Sequence, residues 1–236
     1  MTTRLYLDDP YLREFDTTVL TSADGWCALS RSAFYPGGGG QPADRGSLRV
    51  EDIVLEVAGV REDADGRLWH RVERALEPGT AIRGALDWPY RYALMRAHAL
   101  MHVVNTVARR EFDALITGVQ LGPERSRIDF RLAARRREAA AALEARVNAA
   151  LAEPRAIASS SVSEAEFRAR PELIRTLNVR PPVGDGRVRI VTIAGFDAQA
   201  CGGTHVHSTA EIGPAKLIRV DNKGRDNTRF YWALMP

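Results

Sequence analysis

At 236 residues, 45% of them hydrophobic, the chain can bury a substantial core as one large domain or two small ones, and two modest units are expected. No stretch approaches the roughly eighteen uninterrupted apolar residues of a membrane span, and Met-Thr-Thr-Arg-Leu-Tyr is followed by acidic residues rather than an apolar signal core. Cys27 and Cys201 give no disulfide framework, so a reducing, cytosolic setting is expected. The formal net charge is only +3, yet the cations are almost all arginine, Lys216 and Lys223 being the only lysines.

The first part of the chain reads as β-rich. Residues 17–21, 27–32, 47–57 and 68–71 are β-branched or alternating runs separated by Asp-Gly, Gly-rich and Asp-rich turns, which predicts a small barrel-like domain over residues 1–88. Pro89 suits the first turn of a helix, and a helix over 91–112 opens a second domain, 89–236. Within it 128–132 reads as a strand, 135–153 as a long Ala-rich helix, 155–162 as a strand and 164–168 as a brief helix. Strands at 187–193, 215–220 and 228–234 follow a Pro/Gly-rich stretch at 180–186. The fold class is α+β, with helices covering one face of an antiparallel sheet in the second domain. No internal repeat is evident.

Two pentapeptides a hundred residues apart carry the chemistry. In His98-Ala-Leu-Met-His102 the histidines stand at i and i+4, so a helix there projects both imidazoles from one face. In Cys201-Gly-Gly-Thr-His205 two glycines permit the tight backbone that brings a thiolate and an imidazole to one point. Three of the five histidines and one of the two cysteines fall in these motifs. Together they supply donors suited to one zinc ion. Position 99 is alanine, so the glutamate base of a His-Glu-x-x-His metalloprotease is missing. A catalytic zinc would then act through water whose pKa it lowers, with activated esters as substrates. A site with all four side chains bound would instead be structural.

Gly38, Gly40 and Ala43 formally fit a loose G-x-G-x-x-A pattern, but no helix is predicted to follow, and Pro42 with Asp44-Arg45-Gly46 reads as turn. No nucleotide cofactor is expected there. The run 37–40 is either a hairpin turn needing positive φ or a glycine strip that lets backbone approach a ligand closely. The basic runs, Arg109-Arg110, Arg135-Arg136-Arg137 and the set Lys216, Arg219, Lys223, Arg225 and Arg229, are either solvated faces or phosphate contacts to RNA.

Four stretches resemble the alanyl-tRNA editing family, the editing domain of alanyl-tRNA synthetase and its free-standing relatives. They are Phe34-Tyr-Pro-Gly-Gly-Gly-Gly-Gln41-Pro-Ala-Asp44-Arg-Gly46, Arg96-Ala-His98-Ala-Leu-Met-His102, Gly118-Val-Gln120 through Asp129-Phe130, and Cys201-Gly-Gly-Thr-His205-Val with Glu211-Ile-Gly213. The related domain of threonyl-tRNA synthetase lacks the glycine run before a Gln. The resemblance covers nearly the whole chain and departs at Ala99, where the family usually has Ser or Thr. It implies a free-standing enzyme that hydrolyses Ser-tRNA(Ala), and Gly-tRNA(Ala) as a further substrate, at a Zn2+ held by His98, His102, Cys201 and His205, the four residues that carry catalysis. It also implies that Ser32 reads the serine hydroxyl and that Gly38, Gly39, Gly40, Gln41 and Thr204 line the aminoacyl end. A zinc-stabilised RNA-binding protein without activity, or a zinc hydrolase of another small ester, are the competing readings.

Overall fold

The computed structural model describes residues 1–132, 136–174, 183–184, 186–224 and 226–235, grouped into two compact units, Met1–Ala93 and Leu94–Pro236. Near the start of the first, the strand β1 (Thr3–Arg4) leads into a single helical turn, α1 (Leu5–Asp8). Then come β2 (Glu14–Ala23), β3 (Trp26–Leu29), β4 (Arg31–Ser32), β5 (Gly46–Val50), β6 (Ile53–Val57), β7 (Val60–Glu62), β8 (Leu68–Arg71) and β9 (Ala81–Leu86). β1 pairs with β4 in parallel. The other seven form one antiparallel sheet in the order β6-β5-β9-β2-β3-β8-β7. Its two outermost strands are successive pieces of one segment, interrupted at Ala58 and Gly59, so the sheet curls round onto itself. Strict alternation along β2 turns Phe15, Thr17 and Val19 inward, where they join Leu29, Phe34, Leu48, Val57 and Leu68.

The sheet differs from the reading of the sequence at several points, two of which have a clear local cause. Residues 47–57, read as one run, are a hairpin that turns at Glu51, whose φ is +53°. β9 went unrecognised because Ala, Gly and Arg dilute its alternation. Its Gly84 is a packing requirement, since a Cβ there would come within 2.5 Å of the Phe15 ring.

α2 (Trp88–Phe112) follows, and the division between the units falls inside it. Asp87 starts the helix, its side chain accepting from Tyr90 N–H at 3.2 Å. Asp113, at φ +49°, ends it. From Leu94 to Ala108 every residue except Arg96 is buried, which outweighs the weak helix propensity of Val103, Val104, Thr106 and Val107.

The second unit adds β10 (Leu115–Gln120), β11 (Ser126–Arg131), α3 (Arg136–Leu151), β12 (Ile157–Ser163), α4 (Glu164–Arg168), β13 (Val183–Gly184), β14 (Arg187–Ile193), β15 (Asp197–Ala200), β16 (Ala215–Asn222) and β17 (Asn227–Leu234). α4 spans the residues expected of it, held by a Ser163/Glu166 capping box. Where the sequence suggested one sheet there are two, β10-β11-β17-β16 and a second in which β14 pairs with β12, β13 and β15. β12 fills one edge of β14 and β13 with β15 the other, which leaves that strand no edge for the β16–β17 hairpin. Ile128, Phe130, Phe230 and Trp232 are buried on one face of the first sheet. Arg135 and Arg225, and most of the stretch 180–186, lie outside the described residues, as do the side chains of Arg136 and Arg137.

Candidate metal centre

α2 supplies the first half of the centre. His98 and His102 lie one turn apart on the helix, 6% and 5% exposed, with ring centroids separated by 5.2 Å. The second half is the loop after β15. Arg189, on β14, fixes that loop by donating from one guanidinium nitrogen to the carbonyls of Cys201 and Gly203, both at 2.9 Å, while Cys201 N–H donates to Arg189 O. Beyond His205, the Glu211 carboxylate accepts from the N–H groups of His207 and Ser208, and Arg96 of α2 donates to Ile212 O at 2.8 Å. Arg96 and Glu211-Ile-Gly213, two of the motif stretches, thus pin the chain on the far side of the loop.

The four side chains meet with their donor atoms within 4.8 Å of one another. Cys201 Sγ is 3.5 Å from His98 Nε2 and 3.7 Å from His205 Nε2, and His205 Nε2 is 3.1 Å from His102 Nε2. Tetrahedral zinc with ordinary bond lengths separates its ligands by about 3.6 Å for S and N and about 3.3 Å for two N atoms. These three approaches are close to those values. Burial, then the neighbouring imidazole of His102, pushes His98 well below the usual histidine range, and burial, then His98 and His102, does the same to His205. Both therefore present lone pairs at neutral pH. Burial raises the Cys201 thiol, against the lowering effect of Gly203 N–H and Arg189. A cluster of imidazoles and a thiol, with no carboxylate in it, fits a borderline-soft divalent ion such as zinc rather than magnesium or calcium.

Reading the sequence missed three contributors. Arg189 is one. The others are Asn105, one further turn along the His98/His102 face, whose amide donates to Gln199 Oε1 at 3.4 Å, and Gln199 itself, which donates to Asp197 at 2.6 Å. All three of Asn105, Gln199 and Asp197 are buried and tie α2 to the strand that leads into Cys201. An Asn at i+7 from His98, on the face of the two histidines, was the available signal.

Thr204 is fully buried within the same loop. The remaining expected site residues belong to the first unit. Gly37 to Gly40 all have positive φ, and Gly38 and Gln41 exchange two backbone hydrogen bonds of 3.0 and 2.9 Å, so this run is a tight turn whose glycines no other residue replaces without strain. Gly38 and Gly39 are exposed at its tip, and Gln41 is buried. Ser32 is fully buried, its Oγ 2.8 Å from His70 Nε2 and accepting from Phe34 N–H at 3.2 Å. Burial pushes His70 down to about 4, so the ring is neutral. With Nδ1 3.3 Å from Cys27 O, Nδ1 carries the proton and Nε2 accepts from Ser32.

Residues 188–231 match the domain family described as threonyl and alanyl tRNA synthetase second additional domain. Across its whole length the chain is 37% identical to the alanyl-tRNA editing protein AlaX-M of Methanosarcina mazei, covering 97% of that protein. It is 33% identical to the AlaX-M of Saccharolobus solfataricus, with both chains covered completely. The chain belongs to the alanyl-tRNA editing family. An alanine–tRNA ligase of Korarchaeum cryptofilum is 38% identical over 91% of this chain, but only 24% of the ligase is matched. The editing-family chain thus corresponds to an entire AlaX-M protein and to about a quarter of a synthetase. Among the described residues no helix is long and apolar enough to cross a membrane.

Proposed function

We propose that the protein is a trans-editing hydrolase that deacylates Ser-tRNA(Ala), and Gly-tRNA(Ala) as a second substrate, in a reducing cytosolic compartment. The observation that carries this reading is the convergence of His98, His102, Cys201 and His205 in a chain that spans a free-standing AlaX-M from end to end. These four residues would hold zinc, which when bound supplies a Lewis acid that polarises an ester and makes water more acidic. Water adds to the aminoacyl carbonyl, the ribose oxygen departs with a proton, and serine and free tRNA are released. No nucleotide takes part.

The residues of the chain divide the remaining work. Arg189 holds the Cys201–Gly203 backbone, and the Asn105–Gln199–Asp197 chain fixes α2 against it. Selectivity follows from polar groups that a serine hydroxyl satisfies and alanine leaves unpaired, a difference of roughly ten-thousandfold where the site is built around that hydroxyl. Thr204, Ser32, Gln41 and the glycine turn are the proposed contacts.

Deacylation of Ser-, Gly- and Ala-tRNA(Ala), with and without a chelator, tests the reading. Hydrolysis of the seryl and glycyl esters that stops on chelation and returns with zinc is expected. A zinc-loaded, folded protein that binds RNA and cleaves none of the three is instead a non-catalytic zinc-stabilised protein, and cleavage confined to other small esters means a different hydrolase.

A further inference from the structure

The β10-β11-β17-β16 sheet has one face sealed by Ile128, Phe130, Phe230 and Trp232, all at most 1% exposed, and side chains alternate along β17 between that face and the other. On the other face the register lines up Arg127, Tyr231 and Arg219 in one row across β11, β17 and β16, and Asp129, Arg229 and Asp221 in the next. Arg131 continues the same face along β11. The two acids are each committed to an arginine: Asp129 receives Arg229 at 2.7 and 2.8 Å, and Asp221 receives Arg219 at 2.7 Å. Lys223 adds positive potential that acts on both. Cations therefore outnumber acids on a face whose middle strand presents an aromatic ring.

That ring is the centre of a second pattern. The guanidinium carbon of Arg125 lies 5.3 Å from the Tyr231 ring centroid and that of Arg219 lies 5.5 Å from it. Such a cation–π contact at an exposed position changes an equilibrium by only about two- to fivefold. A nucleobase stacked on an aromatic side chain is worth roughly five- to a hundredfold. A base taking the place of one guanidinium is thus the stronger arrangement, and the displaced arginine is left beside the phosphates that flank the base.

We propose that this open face is an RNA-docking surface, with a base stacked on Tyr231 and the adjoining phosphates met by Arg125 and Arg219. Planar guanidinium forks over an aromatic ring suit a single strand, whose bases are free to stack, better than a protein partner, because the residues aligned with Tyr231 on both neighbouring strands are arginines. The assignment rests on the reading of the substrate as a charged tRNA.

Affinity of the full chain for uncharged tRNA(Ala) is measured against salt concentration, with hydrolysis of a seryl-adenosine ester and zinc content recorded alongside. Tyr231→Ala should weaken binding roughly five- to a hundredfold and Tyr231→Phe should leave it unchanged. Arg125→Gln should lower the slope of log affinity against log salt by about 0.7 to 0.9, one phosphate contact's worth. Neither substitution should alter zinc content or cleavage of the small ester. If Tyr231→Ala fails to fold, Arg125→Gln, at an exposed position, carries the test. Wild-type affinity in these variants, or a wild-type protein that binds no RNA, overturns the surface. A wild type that binds through this face but cleaves no seryl-tRNA leaves the surface standing and defeats the editing reading. Cleavage with unchanged affinity in the variants does the reverse.

Discussion

Replacing Asp44 by alanine breaks an ion pair whose two side chains are both fully buried in the first unit. Arg91 Nε donates to both carboxylate oxygens at 3.0 and 2.9 Å, and a second guanidinium nitrogen donates to Oδ2 as well. Oδ2 also accepts from Tyr35 N–H at 2.6 Å. The rest of the guanidinium is tied to Pro10 O and Ala33 O, so it cannot swing out to water without abandoning those carbonyls. Asp44→Ala therefore strands a buried cation and an amide, and the expected loss is about 3 to 5 kcal/mol in urea unfolding. The double variant Asp44→Leu/Arg91→Met removes the charge along with its partner. It should be less damaged than the single one, at about 1 to 3 kcal/mol, because only the Pro10 and Ala33 carbonyls and the Tyr35 amide stay unpaired. Zinc content of the single variant should hold at one per chain wherever it remains folded, since all four donors come from residues after Leu94. A single-variant loss below about 1 kcal/mol, or a double variant worse than the single, would refute the argument that this pair is dry and geometrically locked.

The purified protein should carry about one zinc per chain, and Cys201→Ala should abolish deacylation while circular dichroism stays native; unfolding in its place would mark the zinc as structural. Because burial holds the Cys201 thiol above its ordinary value, zinc must displace its proton, whereas His98 and His205, both lowered, have none to lose. Zinc affinity measured against a competing chelator should then rise about tenfold from pH 7 to pH 8, and a flat profile would mean that Sγ is not a ligand. Ala99 is fully buried on α2, so Ala99→Ser must place its hydroxyl on the carbonyl one turn back. Melting should show a loss of at most about 1 kcal/mol, with deacylation up to roughly tenfold faster if that hydroxyl supports a ligand; a large drop in rate would show that the position tolerates only an apolar group. Ser32→Ala leaves His70 Nε2 without its donor, at about 1 to 3 kcal/mol of stability. If Ser32 also reads the substrate, the preference for seryl over alanyl ester should fall roughly ten- to a hundredfold at unchanged zinc content, and retained preference would move recognition to Thr204 or another group.

Short-range chemistry fixes the features that are legible along the chain. The i, i+4 spacing set both histidines on one helical face, and four successive glycines marked a stretch that is either a turn needing positive φ or a strip for close backbone approach. Ala99 leaves the His98/His102 helix without the glutamate base of a metalloprotease. Strands with clear alternation, 68–71 and 187–193, were legible end to end, because a half-buried strand writes its period into the chain. Tertiary structure decided everything that depends on partners distant in sequence. β9 is a strand because Gly84 lets Phe15 pack against it, and the second unit has two sheets because β14 is occupied on both edges. α2 begins inside the first unit, where Arg91, in its first turns, pairs with Asp44, 47 residues earlier. Arg189 became a site residue only when folding laid its fork on the carbonyls of Cys201 and Gly203. Ser32 is buried against His70, a contact fixed by the strands that close over it and not by its neighbours in sequence.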